Sequence, residues 1–159
     1  MFWEVKEISD AKKIAGELFF NAFRCNIPDE PYHFVLLFNT QNGIETGGYV
    51  HFQRYKEREY LCGGLVVNAN LFRRLLPEQR TVIKSMGGFA EILLKESFSK
   101  IKKWDVIWGY VGDKLAEKVD LRVGFRHTQR EYIMAVWGKE FSELEKYDLI
   151  EQVYKVGPF

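Results

Sequence analysis

Residues 106–136 constrain the fold most. Val106-Ile107-Trp108-Gly109-Tyr110-Val111 is an apolar run of strand character. Asp113, Ala116, Val119, Asp120 and Val123 then recur at helical spacing, and Gly124-Phe125 ends that helix. A second run, His127 to Val136, follows at once. Few folds use so little chain on a strand, a short helix closed by Gly-Phe and another strand. The pair of strands must therefore lie in one sheet around which the rest is arranged.

The remaining chain supplies the other elements. Ser9 or Asp10 is placed to cap a helix, and Ile8, Ala11, Ile14, Ala15, Leu18, Phe19, Ala22 and Phe23 recur every three or four residues after it. Pro28 forbids its continuation. Three strand-like stretches follow: His33 to Asn39, Gly47 to Tyr55 and Glu59 to Val67. Gln41-Asn42-Gly43 supplies the first hairpin turn and Lys56-Glu57-Arg58 the second tip, which makes an antiparallel meander. Gly63-Gly64 inside the third strand marks a bulge or a close approach to the backbone. Residues 68–84 carry helical spacing broken at Pro77. Gly87-Gly88 opens a helix that runs to Lys102. Strands at 106–111 and 128–137 enclose the helix 113–123, and Phe141 to Val156 reads as an added helix. The expected fold is α+β, a mixed and mostly antiparallel sheet flanked by helices. It forms a single domain over 1–159, with a core about 8–137 and a C-terminal extension 138–159.

Composition narrows the function. Apolar residues are 47% of 159 and aromatics 16%, enough for a packed core. With 23 basic and 22 acidic residues there is no charge to recruit nucleic acid or an anionic membrane. No apolar run reaches the ~20 residues of a membrane span, and Met1 to Ser9 lacks the apolar stretch of a signal peptide. Cys25 and Cys62 are too few for a disulfide framework and read as reduced thiols of a cytoplasmic protein. Three scattered histidines and two distant cysteines offer no metal-ligand spacing.

The order of elements and the segment 113–125 resemble the GNAT superfamily of acyl-CoA-dependent N-acyltransferases. That family carries an Asn-x-x-Ala-x-x-Leu-Tyr-x-x-Leu-Gly-Phe segment. Ala116, Val119, Val123, Gly124 and Phe125 match it in type and spacing, with Asp113 in place of Asn and Asp120 in place of Tyr. The family's Gln/Arg-x-x-Gly-x-Gly/Ala signature is represented by Gly88 and Ala90, with Ser85 where Gln or Arg is usual. The resemblance spans 34–136. It implies an acetyl or other acyl group moving from acyl-CoA, the cosubstrate, to a primary amine on a small molecule or peptide. No metal is implied, and pairing of two copies through edge strands or tails is open.

The same resemblance implies roles. Backbone at Leu65, Val66 and Val67 would pair with the pantetheine amides. The N–H groups of Gly87, Gly88, Phe89 and Ala90 would hold the diphosphate, as a helix N-terminus does for any anion. Asp113 and Ala116 would lie beside pantetheine and the thiol end. Glu59, where relatives place a carboxylate, would take a proton from the amine, directly or through water. Each has a plainer reading: an ordinary glycine loop, core packing of one helix face, and a Glu59 exposed at a hairpin tip beside Arg58 or Lys56.

Asp120 stands where the family's Tyr donates a proton to the departing thiolate. An ordinary Asp, of pKa about 3.9, has no proton to give at neutral pH. It either lies on a solvated helix face or is desolvated enough to retain one. His51 is a base or a hydrogen-bonded surface histidine. Cys62 is a nucleophile or a small buried apolar residue. The departures at Asp120 and Ser85 keep a second reading open, a catalytically silent acyl-CoA-binding or protein-interaction module. Its contact surface would be residues 68–84, a candidate lid longer than the family's usual connection, together with the tail.

Overall fold

The computed structural model describes residues 1–29 and 32–159. Those residues form a seven-stranded mixed sheet in the order β1-β2-β3-β4-β5-β7-β6, with six helices. The strands are β1 (Trp3–Ile8), β2 (Tyr32–Thr40), β3 (Gly43–Lys56), β4 (Glu59–Val67), β5 (Val106–Tyr110), β6 (Arg126–His127) and β7 (Ile133–Trp137). The helices are α1 (Ala11–Phe23), α2 (Ala69–Arg74), α3 (Pro77–Ser85), α4 (Phe89–Lys100), α5 (Lys114–Val123) and α6 (Glu143–Tyr154). β4 and β5 pair in parallel, whereas β1 with β2, β5 with β7 and β6 with β7 pair antiparallel. No helix among the described residues is long and apolar enough to cross a membrane. The chain divides into two compact units, Met1–His51 with Gly64–Ile101, and Phe52–Gly63 with Lys102–Phe159.

In the first unit β2 is apolar on both faces because both are covered. Val35 packs with Ala11, Ala15, Phe19 and Tyr49. The opposite alternation carries Phe38, whose ring lies 4.7 Å from that of Phe89 on α4. The buried stripe of α1 is narrower than its sequence pattern, since Ile14, Ala22 and Phe23 stay exposed while Ala11, Ala15 and Phe19 are buried. Small residues at the first two positions bring the helix close to the sheet. Residues 68–84 fold as two short helices. Asn68 caps α2 by accepting from the Leu71 N–H at 3.1 Å. Pro77 is the first residue of α3, the position its missing N–H suits.

In the second unit Leu61, Val106, Trp108, Ile133, Ala135, Ile150 and Val153 form one apolar cluster. The tail helix therefore belongs to the core. α5 starts on Asp113, whose carboxylate accepts from Leu115 N–H at 3.1 Å. It ends on Gly124 at φ 115°, with Phe125 N–H donating to the Asp120 carbonyl at 3.0 Å. This is the left-handed glycine closure that the Gly-Phe pair announces.

Two strand expectations change. Trp3–Ile8, of which only Ile8 was given an element above, as part of the helix, forms β1, with Trp3 and Val5 buried and Glu4 and Lys6 exposed. A six-residue run shows too few alternations to stand out until β2 pairs with it. The expected strand 128–137 begins only at Ile133, as β7, and a separate two-residue β6 at Arg126–His127 precedes it, with turn residues between them and Tyr132 at φ 69°. Thr128 Oγ1 donates to the Ile133 carbonyl at 2.8 Å and accepts from Arg130 N–H at 3.2 Å, which replaces ladder bonds over the gap.

Gly124→Ala should cost about 1–2 kcal/mol, because a Cβ is strained at that φ. Thermal melting should fall by several degrees with the far-UV spectrum kept; an unchanged melting temperature would mean the closure is not held as described.

Candidate functional site

Each unit holds part of the expected chemistry. In the second unit the parallel ladder pairs Glu59 with Val106, Tyr60 with Ile107, Leu61 with Trp108 and Cys62 with Gly109. Glu59 is 8% exposed, and its carboxylate accepts the Trp108 indole N–H at 2.9 Å. The exposed, hairpin-paired Glu59 is thus corrected: Arg58 pairs with Asp105 at 2.9 Å and Lys56 with Gln152. The physical reason is the pleat, which turns alternate residues of β4 inward and gives the first of them a buried donor.

Asp120 is likewise buried, 7% exposed, and not on a solvated face. Ala116, Val119, Asp120 and Val123 sit at i, i+3, i+4 and i+7, so Asp120 lies inside the helix stripe that packs inward. That spacing is visible in the sequence, and it is the signal that outweighs the polarity of one residue. Burial pushes its pKa up to about 7, so near neutral pH the carboxyl holds its proton about half the time. Burial, and after it the Asp120 carboxylate, push the Cys62 thiol well up. A thiol so placed is a poor nucleophile. Asp113 is taken up in capping α5, and Ala116 is half-buried on it.

In the first unit β4 continues past the ladder through Gly64, Leu65, Val66 and Val67, the last exposed. The Gly87-Gly88 turn is well defined. Gly87 N–H donates to the Lys84 carbonyl at 3.1 Å and Gly88 N–H to that of Ile83 at 3.0 Å, which closes α3. Gly88, at φ 97°, then caps α4, with nothing within 4 Å of where a Cβ would stand. A Cβ on Gly87 would fall 1.9 Å from Glu91 Oε2. The Glu91 carboxylate, held by Lys95 at 2.8 Å, therefore packs over the turn. Phe89 and Ala90 contribute the remaining backbone donors of the first turn. Ser85 is turned inward on its own helix, donating to the Val82 carbonyl at 2.6 Å.

The sequence reading also leaves a polar chain unassembled. Tyr49 and His51 are two apart on β3 and share a face, and His33 comes from β2. Tyr49 Oη lies 2.6 Å from His33 Nδ1 and 3.4 Å from His51 Nδ1. Burial, and then the neighbouring His33, push His51 down to about 4. Burial lowers His33 and raises Tyr49. Among the described residues no group of three or more His, Cys, Asp or Glu is arranged to hold a metal.

No protein-family model matches the sequence, and no curated protein is significantly similar to it. Solved structures are similar in fold. An acetyltransferase from Thermus thermophilus superposes with TM-score 0.55 at 11% identity, over 85% of this chain and 95% of that one. Tetrahymena GCN5 gives 0.54 at 12% identity over 90% and 99%, and a GNAT-family acetyltransferase from Staphylococcus aureus gives 0.51 at 15% over 86% and 99%. The chain has the GNAT fold, as its C-terminal motif implied.

Asp120→Asn should stabilise the fold in a pH-dependent way. A carboxyl whose folded pKa is raised binds more protons folded than unfolded, so stability falls as pH climbs from about 4 to about 7. The gain from Asn should be complete above that window, on the order of 4 kcal/mol, and vanish near pH 4. Equal melting curves for both proteins at pH 8 would contradict a desolvated carboxyl.

Proposed function

We propose that this chain is a GNAT-type N-acyltransferase that moves an acetyl or other acyl group from acyl-CoA to a primary amine. One side chain carries the reading. Asp120 occupies the position at which the family's motif has its proton donor, and its burial keeps a proton on it near neutral pH. That resolves the chemical objection to an Asp there. A protonated carboxyl can pass its proton to the sulfur as the thioester bond breaks, so the departing group leaves as a thiol. In this reading the backbone of Leu65, Val66 and Val67 pairs with pantetheine, and Asp113 and Ala116 line its path. Phe89 and Ala90 N–H take the diphosphate, since the Gly87 and Gly88 N–H groups expected to share it are given to the Lys84 and Ile83 carbonyls. The Trp108 indole takes only Oε1 of Glu59, so in this reading the amine's proton passes to Glu59 Oε2 or to a water relay.

A second reading, a catalytically silent GNAT-fold module, is favoured by one observation. Glu91 sets a carboxylate over Gly87, where a diphosphate would be repelled. Acetyl-CoA binding, which a silent acyl-CoA-binding module would share, is measured first, and turnover then separates the two. Acetyl-CoA at a hundredfold excess over a micromolar Kd should add about 2.7 kcal/mol to stability and raise the melting temperature by several degrees. Glu91→Gln should tighten acetyl-CoA about tenfold by removing that charge. No shift at millimolar acetyl-CoA, for either protein, would defeat the acyltransferase.

Turnover is the sharper test. With an amine found by a thiol-release panel, Asp120→Asn should lower kcat about a hundredfold and leave acetyl-CoA affinity unchanged. Wild-type kcat should decline as pH rises above about 7, where Asp120 loses its proton. An Asn variant with full turnover would remove Asp120 from the chemistry.

A further inference from the structure

We propose that His51, Tyr49 and His33 form a proton path in which His51 Nε2 takes the proton lost by the attacking amine and His33 delivers one to solvent. The proposal rests on the acyl-transfer reading above and gives the first unit a base of its own beside Glu59, one of whose oxygens is held by Trp108. Three features of the first unit carry it.

The first is the hydrogen-bond arithmetic at Tyr49. Its hydroxyl has one proton and faces two imidazole nitrogens, His33 Nδ1 at 2.6 Å and His51 Nδ1 at 3.4 Å. It can donate to one and must accept from the other, so the two rings hold opposite tautomers. With the shorter contact taken by the hydroxyl proton, His51 bears its proton on Nδ1. Its Nε2 is then a bare lone pair, with no hydrogen-bond partner among the described residues.

The second feature is what lies at each end. The His51 ring fits where a Gly64 side chain would be. A Cβ there, at φ +63°, would stand 2.6 Å from His51 Cε1 and Nδ1 and 2.7 Å from Phe19 Cε2. The ring thus abuts bare backbone one residue before Leu65, the start of the strand segment assigned to pantetheine. At the other end His33, 6% exposed, lines a surface pocket of about 130 Å³ with Ser9, Asp10, Lys12 and Asp29. Lys12 and Asp29 pair at 2.8 Å, and Asp10 stands beside them as a further carboxylate at the mouth.

The third feature is the absence of charge along the chain. His51 is faced by Tyr49 on its own strand, His33 on β2, Phe19 on α1 and Gly64 on β4. None of these stabilises an imidazolium, and a proton on either ring raises the cost of one on the other. A base of this kind does not store a proton; it accepts one as another departs. The transfer balances. A proton arrives at His51 Nε2, the Nδ1 proton passes to Tyr49 Oη, the hydroxyl proton passes to His33 Nδ1, and the His33 Nε2 proton leaves into the pocket. Net charge is unchanged. Both rings end in the reversed tautomer, and exchange of the two tautomers resets the path.

Histidine-ring ¹⁵N spectra at pH 7 test this directly, with the exposed His127 as the reference signal. Wild type should show His33 and His51 neutral and in opposite tautomers, and Tyr49→Phe should abolish the opposition while the fold is kept. In the thiol-release assay with acetyl-CoA, Tyr49→Phe should lower kcat at least tenfold, with KM for acetyl-CoA unchanged. Identical tautomers in wild type, or an active Tyr49→Phe variant with wild-type kcat, would overturn the path. If wild type releases no thiol with any amine, acyl transfer and the proton work assigned to His51 fall together. A spectrum of opposite tautomers in an inactive protein would identify that failure as one of function and not of the hydrogen-bond chain.

Discussion

The hydrogen bond from the Trp108 indole to Glu59 fixes the register of β4 against its parallel neighbour β5. A carboxylate taken out of water costs several kcal/mol unless a donor meets it, and here the donor comes from the neighbouring strand of the same ladder. Glu59 pairs with Val106 and Leu61 with Trp108, so the bond is made only in this register. A slip by one residue would strand the carboxylate and turn Trp108 out of its cluster with Leu61, Ile133 and Val153. A parallel pair also demands a long crossover, which residues 68–105 supply with α2, α3 and α4.

Two buried carboxylates in one unit are thereby given different work. Glu59 has an indole donor and a place in the ladder. Asp120 lies in the inward stripe of α5, and burial raises its pKa. Cys62 marks the same environment from the other side, since burial and Asp120 together keep its thiol protonated. The first unit carries His33, Tyr49 and His51 joined by hydrogen bonds at the Tyr49 hydroxyl.

Much of the fold is legible in the chain. The Asn-Gly turn, Pro28, Pro77, Gly88 and Gly124 punctuate the elements, each through a backbone property that survives tertiary context. The short β1 and the break at 128–132 were not, because β1 is completed only by pairing with β2 and the break by the Thr128 hydroxyl, neither of which strand alternation shows. The candidate site was less legible for a related reason. Burial of Glu59 and Asp120 is a tertiary fact, and residue polarity points the wrong way for both. Helix spacing does place Asp120 on the inward stripe, and strand alternation does put Tyr49 and His51 on one face. Nothing in the sequence brings His33 to them, or folds Glu91 back over Gly87.

The central claim is that a desolvated Asp120 keeps a proton near neutral pH while the protein is folded. The carboxyl ¹³C resonance of Asp120, followed by NMR across a pH titration, reads this without substrate or turnover. The account predicts a midpoint about 7. A midpoint near the ordinary Asp value of about 3.9 would contradict it, for a carboxylate ionised at neutral pH has no proton to give a leaving thiolate.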